Sequence, residues 1–275
     1  MNEGWTSRNE HLRANLAWWN ERVACHAEST FYGVESFKAG RITLMPLERQ
    51  ELGEVEGHDL LHLQCHFGLD TLSWARLGAR VTGVDSSEEG IALARLLSDE
   101  LGIEATFICS DIYDLPNVLS VQYDIVYTSY GVLSWLPDLT AWADVIAHFL
   151  KPGGTFYIVE IHPFAYVFSD EEDAEGLEVH YPYFHDPEPL RFEEGGSYAA
   201  RDAEVTHNVT YEWTHSVSDI VNSLISAGLR IEFLHEFPFA CYKMYPFLEE
   251  DEVGQWWLTE NDGSIPMTFS LKATR

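Results

Sequence analysis

The sequence predicts an α/β fold in which helices cover both faces of a largely parallel β-sheet. Between residues 60 and 161, short apolar runs alternate with stretches of helical spacing. The apolar runs are continuous, as expected for strands that are buried on both faces. The chain has 275 residues, of which 46% are hydrophobic, so it is long enough for one large domain with additions.

The elements of this alternation follow one another in a regular order. The predicted strands are 60–63, 80–84, 105–109, 124–129 and 155–161, and the predicted helices between them are 69–77, 86–101 and 137–150. We expect a capping box at the start of the second helix, because Glu89 lies three residues after Ser86, and we expect Gly102 to end it. Strands that are connected through helices in this way pair in parallel.

Two segments lie outside the alternation. Residues 1–57 contain a predicted helix over 8–27, and we expect them to form an N-terminal helical cap. Residues 163–210 are rich in Asp, Glu, Pro, Gly and aromatic residues and are too long for a simple loop. We predict that they form an inserted lid or small β-subdomain, with an exposed strand near 205–213.

The βα pattern resumes after this insertion. A helix is predicted over 218–227, a strand over 230–234 and a last strand over 267–273. The sheet domain is therefore assigned to residues 58–162 and 211–275, on either side of the insertion.

Charge and cysteine spacing exclude several classes of protein. The formal net charge is -29 with no basic stripe, so a nucleic-acid partner is not expected. The 4 cysteines form no CxxC pair and the 12 histidines no HExxH pattern, so we expect neither a disulfide framework nor a metal. The sequence has no apolar stretch of about 20 residues that could span a membrane. With no secretion signal at Met1–Gly4, a cytoplasmic protein is expected.

Residues with ligand-binding chemistry follow the predicted strands, at the edge where open α/β sheets bind ligands. The first strand leads through residues 64–68 to a helix N-terminus with free N–H groups. Asp85 ends the second strand, and its carboxylate can accept both ribose hydroxyls of an adenosine. Asp111 follows the third strand and can accept from an adenine amino group, while Ile112 packs on the ring. Residues 129–131 follow the fourth strand and close the cavity.

This order of motifs resembles that of the class I S-adenosylmethionine-dependent methyltransferases. The first motif of that family is an acidic residue followed by a Gly-x-Gly-x-Gly turn. In this chain His62 replaces the acid, whereas Gln64 and His66 replace the first two glycines. Only Gly68 remains of the three glycines.

Further segments carry the resemblance, which covers residues 58–162 and 216–275. Leu150-Lys151-Pro152-Gly153-Gly154 matches the family's turn before its fifth strand. The Leu-His-Leu-Gln-Cys-His-Phe-Gly form of the first motif, together with Tyr211-Glu212-Trp213-Thr214-His215, resembles a bacterial subgroup of such enzymes.

The resemblance implies a Rossmann-like seven-stranded sheet whose last strand is antiparallel, and it implies S-adenosylmethionine as the cofactor. The residues expected to bind the cofactor are Gln64, Cys65, His66, Gly68, Asp85, Ser86, Asp111, Ile112, Ser129 and Tyr130. At two of these positions, 64 and 66, glycine would allow positive φ and close backbone approach. Gln64 and His66 therefore either adopt ordinary φ or carry strain. Their side chains either enter the space near the methionine part of the cofactor or only hydrogen-bond the loop.

The resemblance also implies direct in-line methyl transfer to a small-molecule acceptor, which the protein aligns while it excludes water. A protonated acceptor needs a base, and His162, after the fifth strand, is predicted to be that base. Tyr32 and Trp135 are predicted to line the substrate pocket, and Tyr32 and Lys38 to reach the amino-acid end of the cofactor. The insertion could also make a homodimer contact.

Two other functions stay open at this point. An NAD-dependent oxidoreductase shares the first turn and Asp85, but it normally needs Gly-x-Gly-x-x-Gly beside a pyrophosphate, and Gln64 and His66 occupy two of those positions. A non-catalytic methyltransferase-like partner protein would account for the altered turn, although Asp85, Asp111 and Gly68 are retained.

Overall fold

A computed structural model of the protein describes residues 3–171, 173–258 and 265–275. In chain order, its strands are β1 (Asp59–Leu63), β2 (Arg80–Asp85), β3 (Ala105–Cys109), β4 (Tyr123–Ser129), β5 (Leu150–Ile161), β6 (Leu190–Glu193), β7 (Val209–Glu212), β8 (Arg230–Phe237), β9 (Leu248–Glu250), β10 (Trp256–Leu258) and β11 (Thr268–Thr274). Its α-helices are α1 (Glu3–Glu28), α2 (Val34–Lys38), α3 (Pro46–Leu52), α4 (Leu69–Arg76), α5 (Glu88–Leu101), α6 (Leu115–Val118), α7 (Leu139–Phe149) and α8 (Val217–Ser226).

Seven of the strands form one sheet in the order β3-β2-β1-β4-β5-β11-β8. β1 pairs in parallel with β2 and β4, whereas β11 lies antiparallel between β5 and β8. After β1, the chain adds β2 and β3 to one side of that strand and then adds β4 to its other side. The carboxyl ends of β1 and β4 therefore flank the crevice where such sheets bind ligands. The predicted Rossmann-like sheet with an antiparallel last strand is confirmed.

Apolar side chains cover both faces of this sheet. On one face, Val126 packs with Trp142 and Ile146 of α7. On the other face, Leu60 packs with Trp74 of α4. Because successive residues of a strand point to opposite faces, a strand between two helix layers must be apolar at every position. This requirement accounts for the continuous apolar runs in the sequence.

The start of α5 differs by one residue from the predicted capping box. Ser87 is the N-cap, and its Oγ accepts a hydrogen bond from the Gly90 N–H at 2.9 Å. Ser86 lies one residue earlier, exposed beside the cavity described below. Gly102 ends the helix with φ 62, as expected for a glycine C-cap.

The segment predicted to form an inserted lid contains a two-stranded antiparallel sheet, β6–β7. Because β7 spans Val209–Glu212, the predicted domain boundary between residues 210 and 211 divides this strand. We therefore call residues 163–213 the lid. The segment between β8 and β11 was not among the predicted elements and forms the second small sheet, β9–β10. It packs against the base of the lid, where the Tyr245 hydroxyl donates to the Ala165 carbonyl.

Helix α1 lies against the lid, and we call the two together the cap. Asn15 makes two hydrogen bonds with the backbone of Tyr211, at 2.7 and 2.8 Å. The buried Arg22 donates to the carbonyls of Gly196 and His207, each at 2.7 Å. The sequence predicted a helical cap and a lid as two separate additions, and the structure joins them. Over the described ranges, none of the helices is both long and apolar enough to cross a membrane.

Candidate active site

A cavity of about 1650 Å³ lies between the cap and the carboxyl ends of β1–β4. All ten residues predicted to bind the cofactor line this cavity, which places the four strand ends around one space. The predicted substrate residues Tyr32 and Trp135 line it as well. Ligand sites usually measure about 300–1,000 Å³, so the cavity has room for more than one small molecule.

The turn after β1 passes through the left-handed region at every position where the related family has glycine. Gln64 has φ 58, His66 φ 50 and Gly68 φ 79. Gln64 and His66 therefore adopt the strained alternative, which costs about 1–2 kcal/mol for each non-glycine residue. At Gly68 a side chain does not fit, because a Cβ would lie 2.6 Å from the Phe107 ring.

The Gln64 side chain has one polar atom that stays without a hydrogen-bond partner in the part of the chain that the structure describes. Its Nε2 donates to the Val132 carbonyl at 3.1 Å, which orients the carboxamide, since a carbonyl can only accept. The Oε1 atom is then buried, and none of the residues in 3–171, 173–258 and 265–275 donates a hydrogen bond to it. Because buried acceptors normally have partners, this oxygen in the cavity wall indicates a ligand that donates a hydrogen bond.

Asp85 is held in position by backbone N–H groups. Its Oδ2 accepts from His66 at 2.8 Å and its Oδ1 from Ser87 at 2.9 Å. Burial raises the pKa of Asp85, and these backbone donors act in the opposite direction. The Ser86 backbone acts in the same direction, and the acceptor capacity that remains on the carboxylate is available to ribose hydroxyls.

The end of β3 provides an apolar surface beside a carboxylate. Ile112 is buried in the cavity wall, and Asp111 is exposed at its edge. The Asp111 Oδ1 accepts from the Tyr113 N–H at 2.8 Å, which fixes the side chain and leaves Oδ2 for a ligand.

Sequence reasoning missed a charged subsite beside the first turn. Asp70, in the first turn of α4, accepts from the Thr43 hydroxyl at 2.5 Å. Burial raises the pKa of Asp70, whereas Thr43 and Arg41 act to lower it. All three side chains line the cavity. The available signal was the position of Asp70, two residues after Gly68 at the helix N-terminus; nothing local pointed to Arg41 and Thr43.

The loop after β4 is fixed from two directions. The buried Glu160 accepts from the N–H groups of Gly131 at 2.5 Å and Val132 at 2.8 Å. Tyr130 has φ 32, and its hydroxyl donates to Glu48 of α3 at 2.5 Å. Burial raises the pKa of Glu48 to about 8. Tyr130 thus lines the cavity while its hydroxyl is held by a fully buried carboxyl group.

The predicted position of His162 on the substrate side is wrong. His162 is buried, and it is not among the residues that line the cavity. Its Nε2 lies 2.9 Å from Glu236 Oε1, and its Nδ1 accepts from the Phe164 N–H at 3.0 Å. Both ring nitrogens are therefore used to join β5, β8 and the start of the lid. Lys38 does not line the cavity either. Its Nζ forms an ion pair with Glu100 Oε2 at 3.0 Å.

A chain of side chains links the first turn to the cap. His66 Nε2 lies 3.1 Å from His26 Nδ1, and His26 Nε2 lies 2.9 Å from Ser197 Oγ. Burial lowers the pKa of His26 to about 4 and that of His66 as well, so both rings are neutral at pH 7. In the described ranges, no three His, Cys, Asp or Glu side chains are grouped as metal ligands.

Comparison with known proteins assigns part of the chain. Residues 60–154 match the family model of a methyltransferase domain. Over 105 residues, the chain is 36% identical to a ubiquinone biosynthesis O-methyltransferase from Xanthomonas euvesicatoria pv. vesicatoria, with 38% of this chain and 44% of the relative covered. A protein of the same name from Bordetella avium is 34% identical over 106 residues, with the same coverage. The chain thus spans less than half of the length of these curated relatives.

Solved structures match over a larger part of the chain. An S-adenosylmethionine-dependent methyltransferase from Mesorhizobium loti has a TM-score of 0.59 at 22% identity, with 86% of this chain and all (100%) of that chain covered. One from Clostridium acetobutylicum has a TM-score of 0.51 at 16% identity, with 78% and 83% covered. At these identities the likeness concerns the fold alone, which this chain shares with those two S-adenosylmethionine-dependent methyltransferases.

Proposed function

We propose that this protein binds S-adenosylmethionine at the carboxyl ends of β1–β4 and transfers its methyl group to a small molecule enclosed by the cap. The observation that carries the proposal is the single cavity in which Gln64, Asp85 and Asp111 converge. When bound, the cofactor supplies a methyl group that its sulfonium has already activated. The protein has to hold the two reactants in line and exclude water.

The residues present fit this cofactor from end to end. Asp85 would hold the ribose hydroxyls, and Ile112 and Asp111 the adenine. The unpartnered Oε1 of Gln64 and the Asp70 carboxylate suit the α-ammonium group of the methionine part. Arg41, which donates to the Tyr32 carbonyl at 2.7 Å, has further N–H groups for the carboxylate.

A dinucleotide fits this site less well. In dinucleotide-binding folds a pyrophosphate lies at the N-terminus of the helix after β1. Here Asp70 occupies the first turn of that helix and would repel a pyrophosphate. The side chains of Gln64 and His66 also stand where bare glycine backbone would approach the phosphates.

The binding experiment is calorimetry with S-adenosylhomocysteine. Asp85→Ala should weaken binding by about 1–3 kcal/mol, because the ribose hydrogen bonds are lost. Asp99→Ala, on the exposed face of α5, is the control and should leave the affinity unchanged. Equal affinity in the Asp85 variant would place the ribose elsewhere, and binding of NADH without S-adenosylmethionine would overturn the proposal.

The activity experiment uses S-adenosylmethionine with a labelled methyl group and the small-molecule fraction of a bacterial extract. We expect label to appear in small molecules in the presence of the wild-type protein. Cofactor binding without transfer would favour the alternative of a non-catalytic cofactor-binding partner protein.

A further inference from the structure

The segment Tyr211-Glu212-Trp213-Thr214-His215 has a structural role at four of its five positions. The backbone of Tyr211 is bound by Asn15, and its ring stacks on His11 at 4.0 Å. Trp213 donates its backbone N–H to the Ser134 carbonyl at 2.8 Å and its indole N–H to the Pro187 carbonyl at 3.2 Å. These contacts attach the segment to α1, to the loop after β4 and to the rest of the lid.

The last two positions act in the same way. The Thr214 hydroxyl donates to the Phe184 carbonyl at 3.0 Å. His215 is buried, with its Nε2 2.7 Å from the Leu136 carbonyl, and its ring stacks on His185. The four residues therefore fix the end of the lid over the loop that follows β4.

Glu212 is the exception, because its carboxylate lies in the cavity wall and joins no lid element to another. Ser134, in the loop that leads away from the end of β4, lies near this carboxylate and acts to lower its pKa. Glu212, Ser134 and Tyr130 all line the same cavity, in which Tyr130 belongs to the residues predicted to bind the cofactor. No protein cation forms an ion pair with this carboxylate among the described residues.

The surroundings of Glu212 favour its protonated form. Burial raises the pKa of Glu212 to about 7, and the carboxylates of Glu194 and Asp170 contribute in the same direction, whereas Ser134 acts in the opposite one. Tyr166 and Tyr242 also face Glu212, and both are neutral because burial raises their pKa values. A carboxyl group with this pKa exchanges protons readily near neutral pH, which suits a general base.

We propose that Glu212 is the proton acceptor for the nucleophile that is methylated, an inference that rests on the proposed function. The acceptor carries an ionisable proton, on a hydroxyl or an ammonium group. The Glu212 carboxylate takes the proton of the acceptor, before methyl transfer for an ammonium group or during it for a hydroxyl group, and then releases it to water. The lone pair of the acceptor would form the new bond to the methyl carbon, and the methyl–sulfur bond would break with its electron pair left on sulfur. Glu212 takes the role that the sequence had assigned to His162.

The kinetic test compares Glu212→Gln with the wild-type protein on the extract fraction that the wild type methylates. We expect a rate at least about 100-fold lower, the usual contribution of general base catalysis. The wild-type rate should rise through about pH 7, and the residual rate of Glu212→Gln should not. Glu188→Gln, which changes an exposed residue elsewhere in the lid, is the control and should keep the wild-type rate. A Glu212→Gln rate within about 3-fold of wild type would overturn the proposal.

Two further variants separate proton transfer from a merely structural role. Glu194→Gln removes a neighbouring negative charge, so the rise in rate should move to lower pH while the rate at high pH is kept. Glu212→Asp keeps the carboxylate and should recover part of the activity with its pH dependence. A wild-type pH midpoint in Glu194→Gln, or a Glu212→Asp variant no more active than Glu212→Gln, would contradict the assignment of Glu212 as the titrating group.

An independent measurement does not require a known acceptor. The infrared difference spectrum between wild type and Glu212→Gln, each with S-adenosylhomocysteine, should contain a carboxyl band that titrates near pH 7. Calorimetry should give the same S-adenosylhomocysteine affinity for both proteins. Absence of the band overturns the role of Glu212 even where cofactor binding is intact, whereas loss of cofactor binding in the wild type overturns the proposed function itself.

Discussion

The two walls of the cavity are built in different ways. In the wall formed by the strand ends, the residues predicted to bind the cofactor belong to short segments with local contacts of their own: Asp85 accepts from Ser87, and the Gly68 N–H donates to the Cys65 carbonyl. In the cap, Arg22 reaches Gly196, which is 174 residues away. The wall formed by the strand ends, which we call the strand-end wall, can therefore be predicted from short sequence motifs. The cap instead depends on contacts between residues that are far apart in the sequence.

The two walls meet at a hydrogen-bonded chain with a defined direction. Ser197 Oγ accepts from the N–H groups of Ala199 and Ala200, at 3.3 and 3.2 Å, so its own hydrogen is directed to His26. Neutral His26 then carries its hydrogen on Nδ1 and donates to His66 Nε2. This leaves the hydrogen of His66 on Nδ1. The position of the lid thus determines which ring nitrogen of the cofactor-side histidine is a donor.

The largest effect expected at a single pH comes from separating the two halves of the cap. Arg22→Ala leaves the carbonyls of Gly196 and His207 without their donor and removes the guanidinium that stacks on Trp18 at 3.8 Å. We expect a loss of about 3 kcal/mol in the free energy of unfolding of the cap. Hydrogen exchange should show faster exchange in residues 194–208 and unchanged protection in β1 and β4.

The matched control is Arg13→Ala, which removes an exposed arginine of the same helix and should change stability by less than about 0.5 kcal/mol. Equal loss of protection in the cap and in the central strands of the Arg22 variant would contradict the division into two walls.

The next effect concerns Glu48, which supports the strand-end wall from α3. Its pKa is about 8 in the folded protein and about 4.5 when unfolded, so the folded state binds more protons between these values. Stability should therefore fall as pH rises from about 5 to 8, by up to about 1.4 kcal/mol per pH unit from this group. Urea titrations of Glu48→Gln should lack this component of the slope.

For this measurement Glu54→Gln is the control, since Glu54 is exposed shortly after α3, and it should keep the wild-type slope. A Glu48 variant with the wild-type slope would show that Glu48 is ionised throughout this range, and the hydrogen bond from Tyr130 would then join a charged group.

The same contrast explains which features could be predicted from the sequence. The order of βα units and the position of Asp85 follow from short apolar runs and from what ends them, so both were predictable. Glu48, Arg41 and Glu212 lie far from those motifs, and their positions depend on how the cap and α3 pack. His162 was misplaced because a residue just after a strand end can turn toward either side, and here Glu236 on β8 binds its ring.

The smallest expected effect lies within the strand-end wall itself, at Gln64 and His66. Gln64→Ala and Gln64→Gly remove the same side chain, so the difference between them isolates the cost of positive φ. The glycine variant should be more stable than the alanine variant by about 1 kcal/mol in thermal or urea unfolding. Both variants should bind S-adenosylhomocysteine equally weakly, because the Oε1 acceptor is gone from each. The same pair at His66 should give the same sign.

These variants test whether the side chain that requires a strained backbone at position 64 contributes to ligand binding. If glycine restores stability but not affinity, the side chain at this position is retained for binding at the expense of backbone energy. If glycine restores both, the bare backbone is sufficient, and the departure from the glycine turn has no role in recognition. At Gly68 the glycine should again be the more stable residue, and by a larger margin, since Gly68→Ala places a Cβ against the Phe107 ring and should destabilise the fold by more than backbone strain alone.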